Sequence, residues 1–259
     1  MQPPRFPIAT AVLVALNVAV WLLQVATGVA PLHPASATLI AWGGNVPLLT
    51  LTGDTWRLVT AMFLHGGLVH LALNMLALAF TGTRTEDEFG TLRMLVIYAV
   101  GGVLAGCSTI LWNEWRAPAD HSLGLLTVSV GASGAIMAQF GALLVALVVV
   151  PPRFVPLPPD KRPGVDRGLI QVVVINVALG FVVPHVDQAA HIGGLVAGMA
   201  TGALLSLVPA ATGARAAAAR YGATALLTAV CVGALLHNAP QQRLFVMRAM
   251  WPWQQATAR

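Results

Sequence analysis

The chain has 259 residues, of which 57% are hydrophobic and only 9% charged, and its mean hydropathy is +0.78. This composition excludes a soluble globular domain and indicates a polytopic membrane protein. The formal net charge of +5 does not argue for a nucleic-acid partner, because the basic residues lie in short connections between apolar runs, where they act as topology signals.

A bilayer crossing takes about 20 apolar helical residues. Seven runs qualify: Pro7 to Gly28, Leu58 to Gly82, Met94 to Trp112, part of Leu123 to Val150, Gly168 to Val183, Ala189 to Val208 and Tyr221 to Leu236. The fifth and seventh are the shortest. With the N-terminus inside, Arg5, Arg84, Arg93, Arg153, Lys161, Arg162, Arg167, Arg215 and Arg220 fall on inner segments. Only Arg57 and Arg116 fall on outer loops, and Arg243, Arg248 and Arg259 on an outer tail. That excess sets the orientation. Two regions follow: a six-span core over residues 1–208, and residues 209–259 carrying an inner loop, a seventh span and the tail.

Arg5 and Ala35-Ser36-Ala37 around the first run mimic a signal peptide. The run is about 20 residues long, beyond a typical signal core, and an uncleaved span is expected. The connection Val29 to Thr55 holds Trp42, three prolines and several glycines and ends in Trp56-Arg57. Its mixed aromatic and apolar content predicts a segment lying in the membrane interface.

In the second run His70 and Asn74 are spaced i, i+4 and share a helix face. Together they offer two side-chain donors, the kind of group that stabilises a developing oxyanion. A satisfied interhelical hydrogen bond is the plainer alternative. His65 precedes Asn74 by nine residues, about 180° of helical rotation. On a continuous helix it faces away from that pocket and supports the first loop.

The fourth run has no Asp, Glu, Lys or Arg from Leu123 to Val150. As one helix it would cover about 42 Å, against a hydrocarbon core of about 30 Å. Gly124, Gly131 and Gly134 near its front predict a non-helical entry, with the helix starting near Ser133. Irregular backbone at membrane depth is tolerated where it is buried or lines a wet cavity. Ser133 lies 18 residues before Pro151, and His191 lies 18 residues before Pro209. If both prolines mark the inner boundary, Ser133 and His191 stand level near the outer side. Gly134, Ala138 and Gly141 on one span, and Gly194, Gly198 and Gly202 on the other, form small-residue faces that allow close packing. A serine and a histidine on two parallel, closely packed spans point to serine hydrolysis within the membrane.

The inner loop Pro151 to Arg167 is rich in proline and charge and is expected to be a solvated connection. Asp187, one turn before His191, is expected to be an outer-loop charge. Cys107 and Cys231 are expected to be buried, inert thiols. Trp251 and Trp253 form a potential interfacial anchor. There is no H-E-x-x-H zinc motif and no internal repeat, which argues against a metalloprotease and against a transporter built on inverted repeats.

In order along the chain stand Trp56-Arg57, His65, His70-x-x-x-Asn74, Gly82-x-x-x-Glu86-x-x-x-Gly90, Gly131-x-Ser133-Gly134 and His191-x-x-Gly194-x-x-x-Gly198. With this ordered set the chain resembles the rhomboid intramembrane serine proteases over roughly Pro7 to Val208, and the extra span resembles the six-plus-one members. The resemblance implies an all-α polytopic fold, a rhomboid-like six-helix bundle plus one C-terminal helix. It implies Ser133 as nucleophile and His191 as general base, with no carboxylate. His70, Asn74 and the backbone N–H of Ser133, on the Gly131 turn, would form the oxyanion hole. Trp56, Arg57, His65 and Glu86 would be structural. Substrates would be single-span membrane proteins in the lipid bilayer, with no metal, cofactor or nucleic acid. The short-looped, alanine-rich chain suits a bacterial inner membrane, with the site opening to the outer side. One position departs from the family pattern: Met137 stands where an aromatic ring often packs on the catalytic histidine. A thioether is more flexible and fixes an imidazole less firmly. Inactive relatives that bind membrane clients without cutting them typically lack the Ser or the His, and this chain keeps both.

Overall fold

The computed structural model describes residues 7–120, 126–149, 167–182, 186–207 and 217–237. It is helical throughout, with one isolated bridge between Asn45 and Ser129. The first long helix, α1, is Ile8–Ala26. Three short helices follow: α2 (Ser36–Ala41), α3 (Pro47–Leu51) and α4 (Arg57–Thr60), the last continuing as a 3-10 turn over Ala61–Phe63. The bundle is then built from α5 (Leu68–Phe89), α6 (Thr91–Asp120), α7 (Ser133–Val149), α8 (Arg167–Val182) and α9 (Gln188–Leu207), with α10 over Ala217–His237. Among the described residues four helices are long and apolar enough to cross a membrane, or five with a bent pair counted as one. Their outward faces carry exposed Leu73, Leu76, Trp115, Val196 and Leu226, surface that a bilayer covers at no cost. The chain is an integral membrane protein.

The bent pair corrects one expectation. Leu58 to Gly82 is not a continuous span: Arg57–Phe63 and Leu68–Phe89 meet at 93°. The break falls at Gly66-Gly67. Gly67 has φ +116°, and a Cβ there would overlap the carbonyl of Leu32. Pro31 O accepts the N–H of Leu68 at 2.8 Å. Gly67 lets the first loop dock where a side chain would hold it off. The crossing helix therefore starts ten residues later than hydropathy places it and ends at Phe89.

Three helices form the tight centre. A Cβ on Gly101 would overlap Ala138, one on Gly193 would overlap Ser108, and one on Gly134 would stand 2.6 Å from Ala105 Cβ. So α6 meets both α7 and α9 through glycine. In membranes such contact replaces the hydrophobic drive that water supplies elsewhere. Around it Leu78, Met94, Ile97, Met137 and Phe140 are buried as one apolar core. At the opposite end from Ser133, Glu86 closes the bundle. Its carboxylate accepts the N–H groups of Ala9 and Thr10 at 3.0 Å each, the Thr10 hydroxyl at 3.0 Å and the Thr91 hydroxyl at 2.8 Å. An acidic group at a helix N-terminus satisfies orphan amides and complements the dipole. Glu86→Gln is expected to lower the thermal midpoint, at a cost of about 1.5–3 kcal/mol for hydrogen bonds to a charged group, while activity at a permissive temperature is retained. Thermal unfolding in detergent beside an activity assay checks this.

The C-terminal half of α10 packs Val232 and Leu235 against Leu51, Leu58, Cys107 and Ile110, so α10 braces the first loop and α6. Both cysteines are free, Cys107 buried and Cys231 only partly so. Pro209, the loop between α7 and α8 with its Pro151, Trp251 and Trp253 lie outside the described residues.

Candidate active site

The approach to Ser133 is extended rather than helical. Ser129 exchanges two backbone hydrogen bonds with Asn45, at 2.8 and 3.0 Å. Gly131 follows with φ +122°, and its N–H donates to Ala61 O at 2.9 Å. The helix then begins at Ser133, as its excess length required. The first amides of a helix have no intrahelical partner and form a positive end, so the N–H of Ser133 stands where it can serve a ligand oxygen. Gly131 is needed twice over: its φ is strained for any side chain, and a Cβ would stand 2.8 Å from His70 Cε1 and 3.0 Å from His70 Nε2.

That same close approach places His70 and Asn74 beside the turn. The Nδ2 of Asn74 lies 3.9 Å from the Cβ position of Gly131. The N–H of Gly66 donates to His70 Nδ1 at 3.2 Å. Nδ1 is thereby an acceptor, and in the neutral ring the proton sits on Nε2, the nitrogen facing Gly131. One N–H of Asn74 donates to His70 O at 2.8 Å, which leaves the other for the pocket. Three donors, His70 Nε2–H, Asn74 Nδ2–H and Ser133 N–H, surround one turn.

Helix α9 brings His191. The two glycine faces meet in constant register: a Cβ on Gly194 would overlap the carbonyl of Gly134, one on Gly198 that of Ala138, and one on Gly202 would stand 2.8 Å from Ala142 Cα. The helices run parallel in backbone contact, and Ser133 and His191 both lie at the front of that contact. His191 is buried, and its Nδ1 makes no hydrogen bond among the described residues.

The family model for the Rhomboid domain matches residues 52–208, more than half of the chain. The chain belongs to the rhomboid family. It is 34% identical to rhomboid protease AarA of Providencia stuartii over 211 residues, which is 77% of this chain and 73% of that protein. It is 35% identical to RHOMBOID-like protein 5 of Arabidopsis thaliana over 181 residues, 69% of this chain and 53% of that one. With rhomboid protease GluP of Bacillus subtilis it shares 32% over 201 residues, 78% of this chain but only 35% of that longer protein. The enzyme class expected from the motifs, a rhomboid-type serine endopeptidase, is borne out at the level of the family.

The other rhomboid motif residues take distinct places. Arg57 stitches the first loop: Nε pairs with Asp54 at 2.9 Å, and Nη1 donates to Ile40 O at 2.7 Å and Gly44 O at 3.1 Å. Its guanidinium lies 4.6 Å from the Trp56 ring centroid, a cation–π contact. His65 does not point away from the pocket. The break before α5 removes the assumed rotation, and its buried ring stands edge-on to His70, with centroids 5.3 Å apart. Met137 is buried in the apolar core one turn after Ser133. No cluster of three or more metal-ligating side chains occurs among the described residues.

Asp187 departs from the expectation of an outer-loop charge. It is no loose loop charge. Its Oδ1 accepts the N–H of Ala190 at 2.9 Å, and its Oδ2 accepts hydroxyls from Thr109 at 2.6 Å and Ser129 at 2.5 Å. Aspartate immediately before an apolar helix is an N-cap signature, a signal present in the sequence. Its two distant hydroxyl partners have no local signature.

Proposed function

We propose that the chain cleaves single-span membrane proteins within or beside their membrane segment, with Ser133 as nucleophile and His191 as general base. The carrying observation is the convergence of three donors on the Gly131–Ser133 turn, next to a helix that presents a histidine. In this reading Ser133 Oγ attacks the scissile carbonyl carbon, and its proton passes to the His191 imidazole. The carbonyl oxygen becomes an oxyanion held by His70 Nε2–H, Asn74 Nδ2–H and Ser133 N–H. The imidazolium then returns the proton to the leaving amine, and a water activated by the same imidazole hydrolyses the acyl-enzyme. The first loop and the extended entry to Ser133 supply the buried, irregular backbone that a water-fed cavity at membrane depth requires. We place the protein in a bacterial inner membrane on its short loops and alanine-rich composition, and orient it with the N-terminus inside and the site opening outward on the distribution of basic residues.

Asn74→Ala tests the oxyanion role. An oxyanion donor acts mainly in the transition state, and losing one costs about 10²–10³ in rate. The expected result is a reduced kcat at nearly unchanged KM, softened to the extent that His70 and the Ser133 amide share the load. A raised KM at wild-type kcat would contradict it.

A further inference from the structure

Beyond the residues that touch substrate, one carboxylate joins three of the elements that build the site. We propose that Asp187 is a positioning residue, setting His191 against Ser133 by tying the first turn of α9 to the segment that leads into Ser133 and to α6. The inference rests on the Ser133–His191 reading above.

Asp187 caps α9 through the N–H of Ala190, and its own carbonyl accepts the N–H of His191 at 3.1 Å. Cap and histidine therefore share one helical turn. A cap alone needs one acceptor oxygen. Here the second oxygen takes two hydroxyls from elsewhere in the chain: Ser129, 58 residues away, and Thr109 on α6, 78 residues away. Ser129 lies four residues before Ser133, and its backbone is paired with Asn45 of the first loop. Asn45 in turn accepts the Thr50 hydroxyl at 2.8 Å and donates to Gly106 O at 3.3 Å. One charge thus collects donors from α9, α6 and the nucleophile's own segment.

An ionised aspartate is acceptor-only, with room for several donors, and hydrogen bonds to it are short and strong. A shared acceptor makes the three segments move together, because none can shift without lengthening a charge-assisted bond. Asp187 does not orient the His191 ring as the carboxylate of a triad would. Its oxygens are occupied by these three donors, while His191 Nδ1 has no hydrogen-bond partner among the described residues. In a dyad without an orienting carboxylate, the relative placement of α7 and α9 has to come from the backbone. The glycine contacts set their separation; Asp187 fixes the ends from which Ser133 and His191 project.

The test uses the purified full chain in detergent. It measures the rate at which a fluorophosphonate labels Ser133, together with kcat, KM and thermal midpoint, for Ser129→Ala, Asp187→Ala, Asp187→Asn and the Ser129→Ala/Asp187→Ala double variant. Misplacing a reacting group by about 1 Å can cost about 10² in rate. Asp187→Ala is expected to lose up to that much in both labelling rate and kcat, with KM within about twofold of wild type. Ser129→Ala, which keeps the cap, should lose less than Asp187→Ala but measurably in both labelling rate and kcat. The double variant should be no slower than Asp187→Ala, and Asp187→Asn should recover part of the loss because its amide oxygen still caps α9. Wild-type labelling and kcat in Asp187→Ala and Ser129→Ala, with Ser133→Ala unlabelled, would overturn this inference alone. So would losses that disappear when each variant is assayed well below its thermal midpoint. Labelling that persists in Ser133→Ala would overturn the dyad, and this inference with it.

Discussion

Ser133→Ala is expected to abolish cleavage while leaving the bundle folded, because it removes one hydroxyl from the partly exposed front of α7 and no packing atom from the core. His191→Ala should do the same. In units of this kind, losing the nucleophile or the base alone costs on the order of 10⁶ in kcat, about as much as losing both. The double variant should therefore be no slower than either single one. The structural basis is the register of α7 and α9. Their backbones touch at Gly134 and Gly194, one residue past Ser133 and one turn past His191, so the two side chains project from the same end of one tight contact. Two single variants with wild-type thermal midpoints and no fragments, and a double variant equal to them, are the expected set. A double variant clearly slower than both would mean that the two residues act separately.

Gly198→Leu should be as damaging by another route. A single Cβ at this position would already overlap the carbonyl of Ala138 and crowd its Cα, and both are backbone atoms that cannot rotate aside. Overpacking costs about 1–3 kcal/mol, occasionally more. Here the relief available is to push α9 off α7, which carries His191 away from Ser133. A displacement of about 1 Å at the reacting groups costs about 10² in rate, so activity should fall well before the protein unfolds. Gly222→Ala on α10 is the matched control. Nothing lies within 4 Å of that Cβ position, and replacing glycine inside a helix gains about 0.5–1 kcal/mol. Thermal midpoints and cleavage rates of the two variants, measured side by side, check the prediction. Equal activity in Gly198→Leu and wild type would show that the α7–α9 spacing does not govern the chemistry.

These two predictions draw on what was most legible in the sequence. Small residues repeating every four positions on two apolar runs are a local pattern with one physical use, and the structure brings those faces together. The late start of α7 was legible because bilayer thickness limits helix length, and an overlong apolar run must include something that is not a helix. The break before α5 was hidden for the converse reason. Leu58 to Gly82 is predominantly apolar, and hydropathy averages over a bend; only the Gly66-Gly67 pair marks it, and glycine pairs are turn signals. That error carried over to His65, whose apparent rotation away from Asn74 assumed an unbroken helix. Asp187 was misread because two of its three carboxylate contacts come from residues 58 and 78 positions away. No window along the chain contains them. Its cap of α9 is local, and the aspartate before the apolar run was sufficient to find it.

The central claim is that Ser133 cuts membrane-embedded polypeptide using His191 as its base. The most direct measurement incubates the purified chain in detergent with a generic single-span membrane protein and identifies the new termini by mass spectrometry, in parallel with Ser133→Ala and His191→Ala. The account predicts two complementary fragments with a junction within or beside the membrane segment, formed by the wild-type chain and absent with both variants. Fragments of the same junction at the same rate from Ser133→Ala would contradict it.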